Sequence, residues 1–368
     1  MPGLIASPLS GIHRGLGAKF AGFGGFEMPV EYAGVLAEHA AVRGAVGLFD
    51  VSHLGTFVVA GEGAAAYLNT RLSNDLDRLG PGQAQYTLLL TESGGVVDDM
   101  IVYRFGDDRV MVVPNAANSA AVIAQLRTGA PGGLAWTDRH TQDAILALQG
   151  PRSPEVMSKA GLPADLAYMA FSEAVAATPD GPVGVMVCRT GYTGERGYEI
   201  VVPAGAAPAI WERLMTSGGP YGIQPAGLGA RDTLRTEMGY PLHGQDLSVE
   251  ITPVQARLNW AVGWKKPAFD GASAVRSERE QGPARTLLGL KALTRAIPRP
   301  GMKVRDEGGE EIGRVTSGTF SPTLKQGIAL ALLPPGTQPG DQVLVEVRTR
   351  QEPFEVTKPP FVPAHVSG

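Results

Sequence analysis

The run Gly94-Gly95-Val96-Val97-Asp98-Asp99-Met100-Ile101-Val102-Tyr103 opens on a two-glycine turn and continues as an apolar, β-branched strand that carries two aspartates. Aspartate is depleted inside strands, so two of them in such a run need a reason. Alternation sends Asp98 to one face and Asp99 to the other, with Asp99 alongside Val97, Ile101 and Tyr103. A dyad sharing one proton is excluded by that geometry. A lone carboxylate beside an aromatic ring on a buried face suits a general base, or an acceptor for a substrate N–H. The competing reading starts the strand later and leaves both aspartates in the hairpin turn.

Outward from this strand, strands and helices intermix without a regular βαβ repeat, which is an α+β pattern. Upstream the spacing predicts a short helix over 34–43, a strand over 56–59, a helix over 64–72 and a strand over 85–90. Downstream follow a strand over 110–113, a helix over 118–126 and a strand over 144–148. A strand pair at 183–189 and 198–202 comes next, then helices over 207–215 and 229–238. A charged segment at 276–285 reads as a surface helix or linker. Beyond residue 286 helical periodicity disappears, and Val343, Val345 and Val347 alternate with Gln342, Leu344, Glu346 and Arg348. A small β-barrel-like domain is expected at 285–362.

Composition narrows the function classes. The chain has 368 residues, 43% hydrophobic and 18% charged, so it is neither disordered nor too short for a sizeable core. Its 49 Gly and 29 Pro are scattered, which excludes collagen and implies many turns. A formal net charge of −4 without basic runs gives no footprint for nucleic acid or an anionic membrane surface. No apolar stretch reaches the ~18 residues of a bilayer span, and no export signal stands at the start, so a cytoplasmic protein is expected. The single Cys188 lies in a predicted strand as a buried inert thiol. The six histidines are too scattered to suggest a metal site.

Three further segments could carry chemistry. Arg189-Thr190-Gly191-Tyr192-Thr193-Gly194-Glu195-Arg196-Gly197 is a Gly-punctuated loop between two strands, and Glu195 offers two acceptor oxygens to a ring bearing N–H groups. A strand rather than a helix follows, so this is no dinucleotide fingerprint, and an ordinary long hairpin is the plainer reading. In the 225–237 segment, Asp232 and Arg235 can pair on a helix surface. Arg231 near the start of that helix opposes the dipole, and can reach a carboxylate ligand instead. Ser52-His53 are adjacent, which does not give hydrolase geometry. Tyr32, Tyr86, Tyr103 and Trp260 could line a flat pocket or simply belong to the core.

Together, residues 23–30, 45–53, 94–103, 189–199, 227–235 and 316–324 resemble, in order and spacing, successive motifs of the glycine cleavage system T proteins. The resemblance runs from about residue 10 to 360. It implies a three-part cloverleaf, with two mixed α+β domains around a folate channel and a C-terminal β-barrel domain. The folate-binding aminomethyltransferase region would occupy 1–265, with its second subdomain inserted at about 54–140.

The activity implied is tetrahydrofolate-dependent: an aminomethyl group on the lipoyl arm of the H protein loses ammonia, and its methylene carbon passes to tetrahydrofolate, giving 5,10-methylenetetrahydrofolate. Asp99 matches the family's catalytic carboxylate. Tyr86, Tyr103, Asn115 and Glu195 match positions around the pterin, with Arg231 and Trp260 nearby. Tetrahydrofolate is then a cosubstrate, with no metal, nicotinamide or flavin. The implied partners are the lipoylated H protein and, functionally, the glycine decarboxylase and dihydrolipoamide dehydrogenase components. Gln255 and Arg257 depart from the family pattern near Trp260, and residues 360–363 lack an arginine found there in some relatives. Relatives on this scaffold also include folate-dependent demethylases and non-catalytic folate-binding proteins of iron–sulfur assembly. The latter carry a cysteine signature not found around Cys188, and a ligand-free adapter would leave Asp99 and Glu195 unexplained.

Overall fold

The computed structural model describes residues 3–366. In chain order the first elements are β1 (Ile5–Ala6), α1 (Ser10–Gly15), β2 (Lys19–Phe23), β3 (Phe26–Glu31), α2 (Val35–Gly44) and β4 (Val46–Asp50). Next come β5 (Phe57–Ala60), α3 (Ala64–Arg71), β6 (Gln83–Leu90), β7 (Val96–Arg104), β8 (Arg109–Val113), α4 (Ser119–Arg127) and β9 (Ala135–Asp138). The chain continues through β10 (Asp143–Gln149), α5 (Ser153–Lys159), β11 (Phe171–Thr178), β12 (Gly181–Cys188) and β13 (Gly197–Pro203). After these come α6 (Ala207–Gly218), β14 (Ile223–Pro225), α7 (Leu228–Met238) and α8 (Ala272–Gln281). The last strands are β15 (Thr286–Ala292), β16 (Lys303–Arg305), β17 (Glu311–Ser321), β18 (Gln326–Leu333), β19 (Gln342–Val347) and β20 (Arg350–Thr357).

The fold is α+β. A six-stranded sheet runs β11-β12-β13-β10-β4-β14, a five-stranded sheet runs β6-β7-β8-β5-β9, and β15-β18-β17-β16-β19-β20 close into a barrel. All five strands of the second sheet fall between β4 and β10, which are themselves hydrogen-bonded neighbours in the first. Trp211, Val156 and Met157 from α6 and α5 fill one face of the six-stranded sheet. Its other face meets the five-stranded sheet across a shared core in which Phe49 and Ala147 lie with Ala84, Tyr103 and Met111. Helices α3 and α4 cover the far side of the five-stranded sheet through Leu68 and Val122. Leu88, Leu90 and Val96 join the barrel residues Leu287, Ile328 and Leu330 in a further core. Each apolar face is thereby removed from water, the main favourable contribution to folding.

Both aspartates lie inside β7, not in the turn. The alternation holds from Asp98 on: Met100 and Val102 face the core under α3 and α4, and Ile101 and Tyr103 face the shared core. Val97, expected beside Asp99, packs instead against the Met100 side. The cause is a β-bulge, since Leu89 pairs with Asp98 while Leu90 pairs with Val96, leaving Val97 as the extra residue. Gly95 is required by close approach: a Cβ there would stand 1.8 Å from the carbonyl oxygen of Val249. That backbone crossing also supplies acceptors for the Val96 N–H from Ser248 and Ile251.

Residues 276–281 belong to α8, which begins earlier, at Ala272, and ends at Gln281; residues 282–285 lie beyond it. Cys188 is a buried free thiol whose pKa burial pushes well up. Among the described residues, no helix is long and apolar enough to cross a membrane.

Candidate active site

Asp99 sits near the start of β7 with one hydrogen bond to each carboxylate oxygen. The Tyr86 hydroxyl on β6 donates to Oδ2 at 3.0 Å, and the Asn115 amide donates to Oδ1 at 3.0 Å. The sheet register explains both. Leu88 is directly opposite Asp99, so Tyr86 reaches it on the diagonal; Val113 is opposite Ile101, so the chain just past β8 brings Asn115 alongside Asp99. The ring of Tyr86 stacks on Trp260, with centroids 5.1 Å apart and planes inclined by 30°. Trp260 is 63% exposed, an unusual position for a large aromatic side chain and a suitable platform for a flat ring. A cavity of about 310 Å³ opens beside it, lined by Asn74, Gln85, Tyr168 and Met169 among others.

Asp98 faces away from Asp99 but shares its partner. The Asn115 backbone N–H donates to Asp98 Oδ2 at 2.9 Å and its side-chain amide to Oδ1 at 2.9 Å, while Asn118 donates to Oδ1 at 2.7 Å. Burial, opposed by the hydrogen bonds of Tyr86 and Asn115, raises the Asp99 carboxyl above the usual range. Burial and the charge of Asp99 likewise raise Asp98. Burial holds the Tyr86 hydroxyl well above its ordinary value, so it stays protonated and remains a donor. The arrangement presents a carboxylate of raised basicity, anchored through one lone pair on each oxygen and free to act through the others.

The other expected residues are placed around this centre in different ways. Arg231 lies over the ring of Tyr192, 4.7 Å from its centroid, and its Nη1 is buried without a hydrogen-bond partner among the described residues. Tyr192 in turn feels the charge of Asp99. Tyr103 is 2% exposed, stands edge-on to Phe171 at 5.5 Å and shares a 3.4 Å hydroxyl contact with Thr190. Glu195 is buried and accepts from Arg43 at 2.8 Å, with His365 Nδ1 at 3.2 Å. Asp99, Tyr86, Asn115 and Trp260 thus form one connected group. Tyr103 and Glu195 are tied to residues of the Arg189–Glu199 segment and its surroundings instead.

Some residues that sequence reasoning considered belong elsewhere. Tyr32 bonds His13 Nδ1 at 2.9 Å in a buried cluster with Asp50. The Asp232–Arg235 pair forms at 2.6 Å, yet it is not a surface pair, because Arg235 is 2% exposed and also grips buried Asp246 at 2.9 Å. Ser52 accepts from the Ile145 N–H, and no hydrogen bond joins it to His53, whose buried Nδ1 has no partner among the described residues. Asn118, His243 and Tyr192 were missed as site residues. Only Tyr192, inside a quoted loop, carried any signal; the other two are single polar residues whose partners lie far away in the chain. Among the described residues, no cluster of three His, Cys, Asp or Glu could hold a metal ion.

The chain matches the family model described as the GCVT N-terminal domain over residues 9–266, and the glycine cleavage T-protein C-terminal barrel domain over 285–363. It is 60% identical to an aminomethyltransferase of Frankia alni, covering 99% of both chains, and 53% identical to one of Mycobacterium tuberculosis, covering 98% of both. A crystal structure of glycine cleavage system aminomethyltransferase T from Bartonella henselae superposes with a TM-score of 0.92 at 38% identity, covering 98% of this chain and 99% of that one. With both family domains matched in order along nearly the whole length, the chain belongs to the glycine cleavage T-protein family and is an aminomethyltransferase.

Proposed function

We propose that the one-carbon acceptor is tetrahydrofolate and the donor is an aminomethyl group carried on the lipoyl arm of the H protein, with 5,10-methylenetetrahydrofolate and ammonia as products. The observation that carries the reading is Asp99, a half-buried carboxylate of raised basicity held by Tyr86 and Asn115 at the foot of an exposed Trp260. The residues present suit a pterin. Trp260 stacked on Tyr86 offers a flat aromatic platform, and the buried Nη1 of Arg231 leaves a charged donor in search of an acceptor. When bound, tetrahydrofolate would supply the two nitrogens that become bonded to the methylene carbon, in exchange for that carbon's bonds to the departing ammonia and to the lipoyl sulfur, which leaves as a thiol.

The chain's own residues do the rest. Asp99 stabilises positive charge developing at the methylene carbon as the bond to the departing nitrogen breaks, and its free lone pairs orient or accept the proton of the attacking amine. Tyr86 and Asn115 hold the carboxylate oxygens in place, so no reorientation is needed as charge develops. Holding both reactants in one cavity contributes through proximity. The functional partners are then the lipoylated H protein and, through it, the glycine decarboxylase and dihydrolipoamide dehydrogenase components. Ammonia release from aminomethyl-loaded H protein, measured with and without tetrahydrofolate, tests the reading. Release that rises with tetrahydrofolate supports it, and release indifferent to tetrahydrofolate contradicts it.

A further inference from the structure

We propose that His243 is a positioning residue for Asp99, acting through Asn118, Asp98 and Asn115. The inference rests on Asp99 being the catalytic carboxylate. His243 stands in the loop after α7, where its Nε2–H donates to the Val96 carbonyl at 3.2 Å and its Nδ1 accepts from the Asn118 amide at 2.9 Å. The same amide donates to Asp98 Oδ1 at 2.7 Å. Both Asn118 protons are thereby used, which fixes the amide's orientation and the imidazole tautomer together. Asp98 accepts the backbone and side-chain N–H of Asn115, and the Asn115 amide ends on Asp99 Oδ1 and on the Asp99 carbonyl at 3.0 Å.

The loop that delivers His243 is itself anchored from two sides. Asp246 accepts from Arg235 on α7 at 2.9 Å and from Ser317 of the barrel at 2.7 Å, and it caps the Leu242 N–H at 2.9 Å. The chain then runs so close to the start of β7 that position 95 has no room for a Cβ. Two sets of hydrogen bonds, joined by the covalent link between Leu242 and His243, therefore lead from the barrel, through the loop after α7, to a carboxylate on the five-stranded sheet. Such a chain sets the aim of Asn115, and with it the rotamer of Asp99, without touching substrate.

The test compares His243→Ala and His243→Asn with wild type in tetrahydrofolate-dependent ammonia release. Asparagine places an acceptor oxygen near the position of Nδ1, whereas alanine removes it. We expect His243→Ala to lower kcat by about tenfold with the KM for tetrahydrofolate unchanged, and His243→Asn to recover most of the loss. Should His243→Ala fail to fold, His243→Leu keeps bulk without an acceptor and gives the same comparison. Wild-type kcat in the acceptor-free variant, equal loss in both variants, or a loss confined to KM overturns the proposal. Asp99→Asn in the same assay separates the two levels: collapse there with normal kcat in His243→Leu sinks the positioning role alone, and normal turnover there sinks the carboxylate itself.

Discussion

Tyr86 and Asp99 meet on the diagonal of the β6–β7 pair, with the phenol hydroxyl 3.0 Å from the carboxylate and the other end of the interaction braced by Trp260 on the Tyr86 ring. One aromatic residue thus links a half-buried charge to an exposed platform. The hydroxyl favours the ionised carboxylate, so it lowers a pKa that burial raises. Tyr86→Phe removes that donor and leaves the ring stack. We expect kcat to fall about tenfold, and the acidic limb of the pH–rate profile to move to higher pH because Asp99 then binds a proton more readily. A limb that stays in place, measured as kcat against pH, contradicts this assignment.

Trp260→Ala should act mainly on binding. The side chain is 63% exposed and its main ring contact is the stack on Tyr86, so stability should fall by about 1 kcal/mol. An aromatic stack is worth about 1 kcal/mol, so KM for tetrahydrofolate should rise about fivefold. Steady-state kinetics together with thermal unfolding separates these effects.

Glu237 on α7 joins the N-terminal lobe to the barrel, and its charge should set the acid limit of stability. It accepts from Arg43 at 2.8 Å and Thr323 at 3.0 Å, with Ser321 closer still, and His39 lies 3.2 Å away. Burial raises its pKa, but His39, Ser321 and Arg43 together outweigh burial and hold it at about 2, against 4.5 when unperturbed. A depressed carboxylate contributes stability that is complete above pH 4.5 and is lost as pH falls towards 2. The shift corresponds to about 3 kcal/mol. Glu237→Gln should lower Tm at pH 7 and flatten its fall between pH 5 and pH 3, roughly the window of that titration.

Gly95→Ala tests the crossing that brings the His243 loop to β7. A Cβ 1.8 Å from the Val249 carbonyl oxygen forces the two backbones apart, at a cost of about 3 kcal/mol or more. A denaturant midpoint equal to that of wild type would show that the loop does not depend on this contact.

Much of the fold was legible because periodicity survives wherever one face is buried. The helices near 35–44, 64–71 and 119–127 and the alternating strand 342–347 follow the expected pattern closely. Strand β4 was not read as a strand, since all five of its residues are buried and it carries Gly47, so it shows no alternation. Strand β20 carries Pro353 and several charges and forms in part through pairing with distant β15, and β11 is an Ala-rich edge that forms as the outer arm of its hairpin with β12; neither follows from local preference. Within the site, the strand pattern exposed Asp99, whereas the bulge that displaces Val97 depends on the register against β6 and leaves no mark in β7 itself. Asn118 and His243 are 125 residues apart, and only the assembled fold makes them neighbours.

The central claim is that Asp99 is the group on which methylene transfer turns. Tetrahydrofolate-dependent ammonia release from aminomethyl-loaded H protein, compared between wild type and Asp99→Asn, tests it most directly, with tetrahydrofolate binding measured on both proteins. Asparagine keeps the shape and removes the charge, so the account predicts binding within about threefold of wild type and turnover lower by about a hundredfold or more. Turnover by Asp99→Asn equal to that of wild type would contradict it.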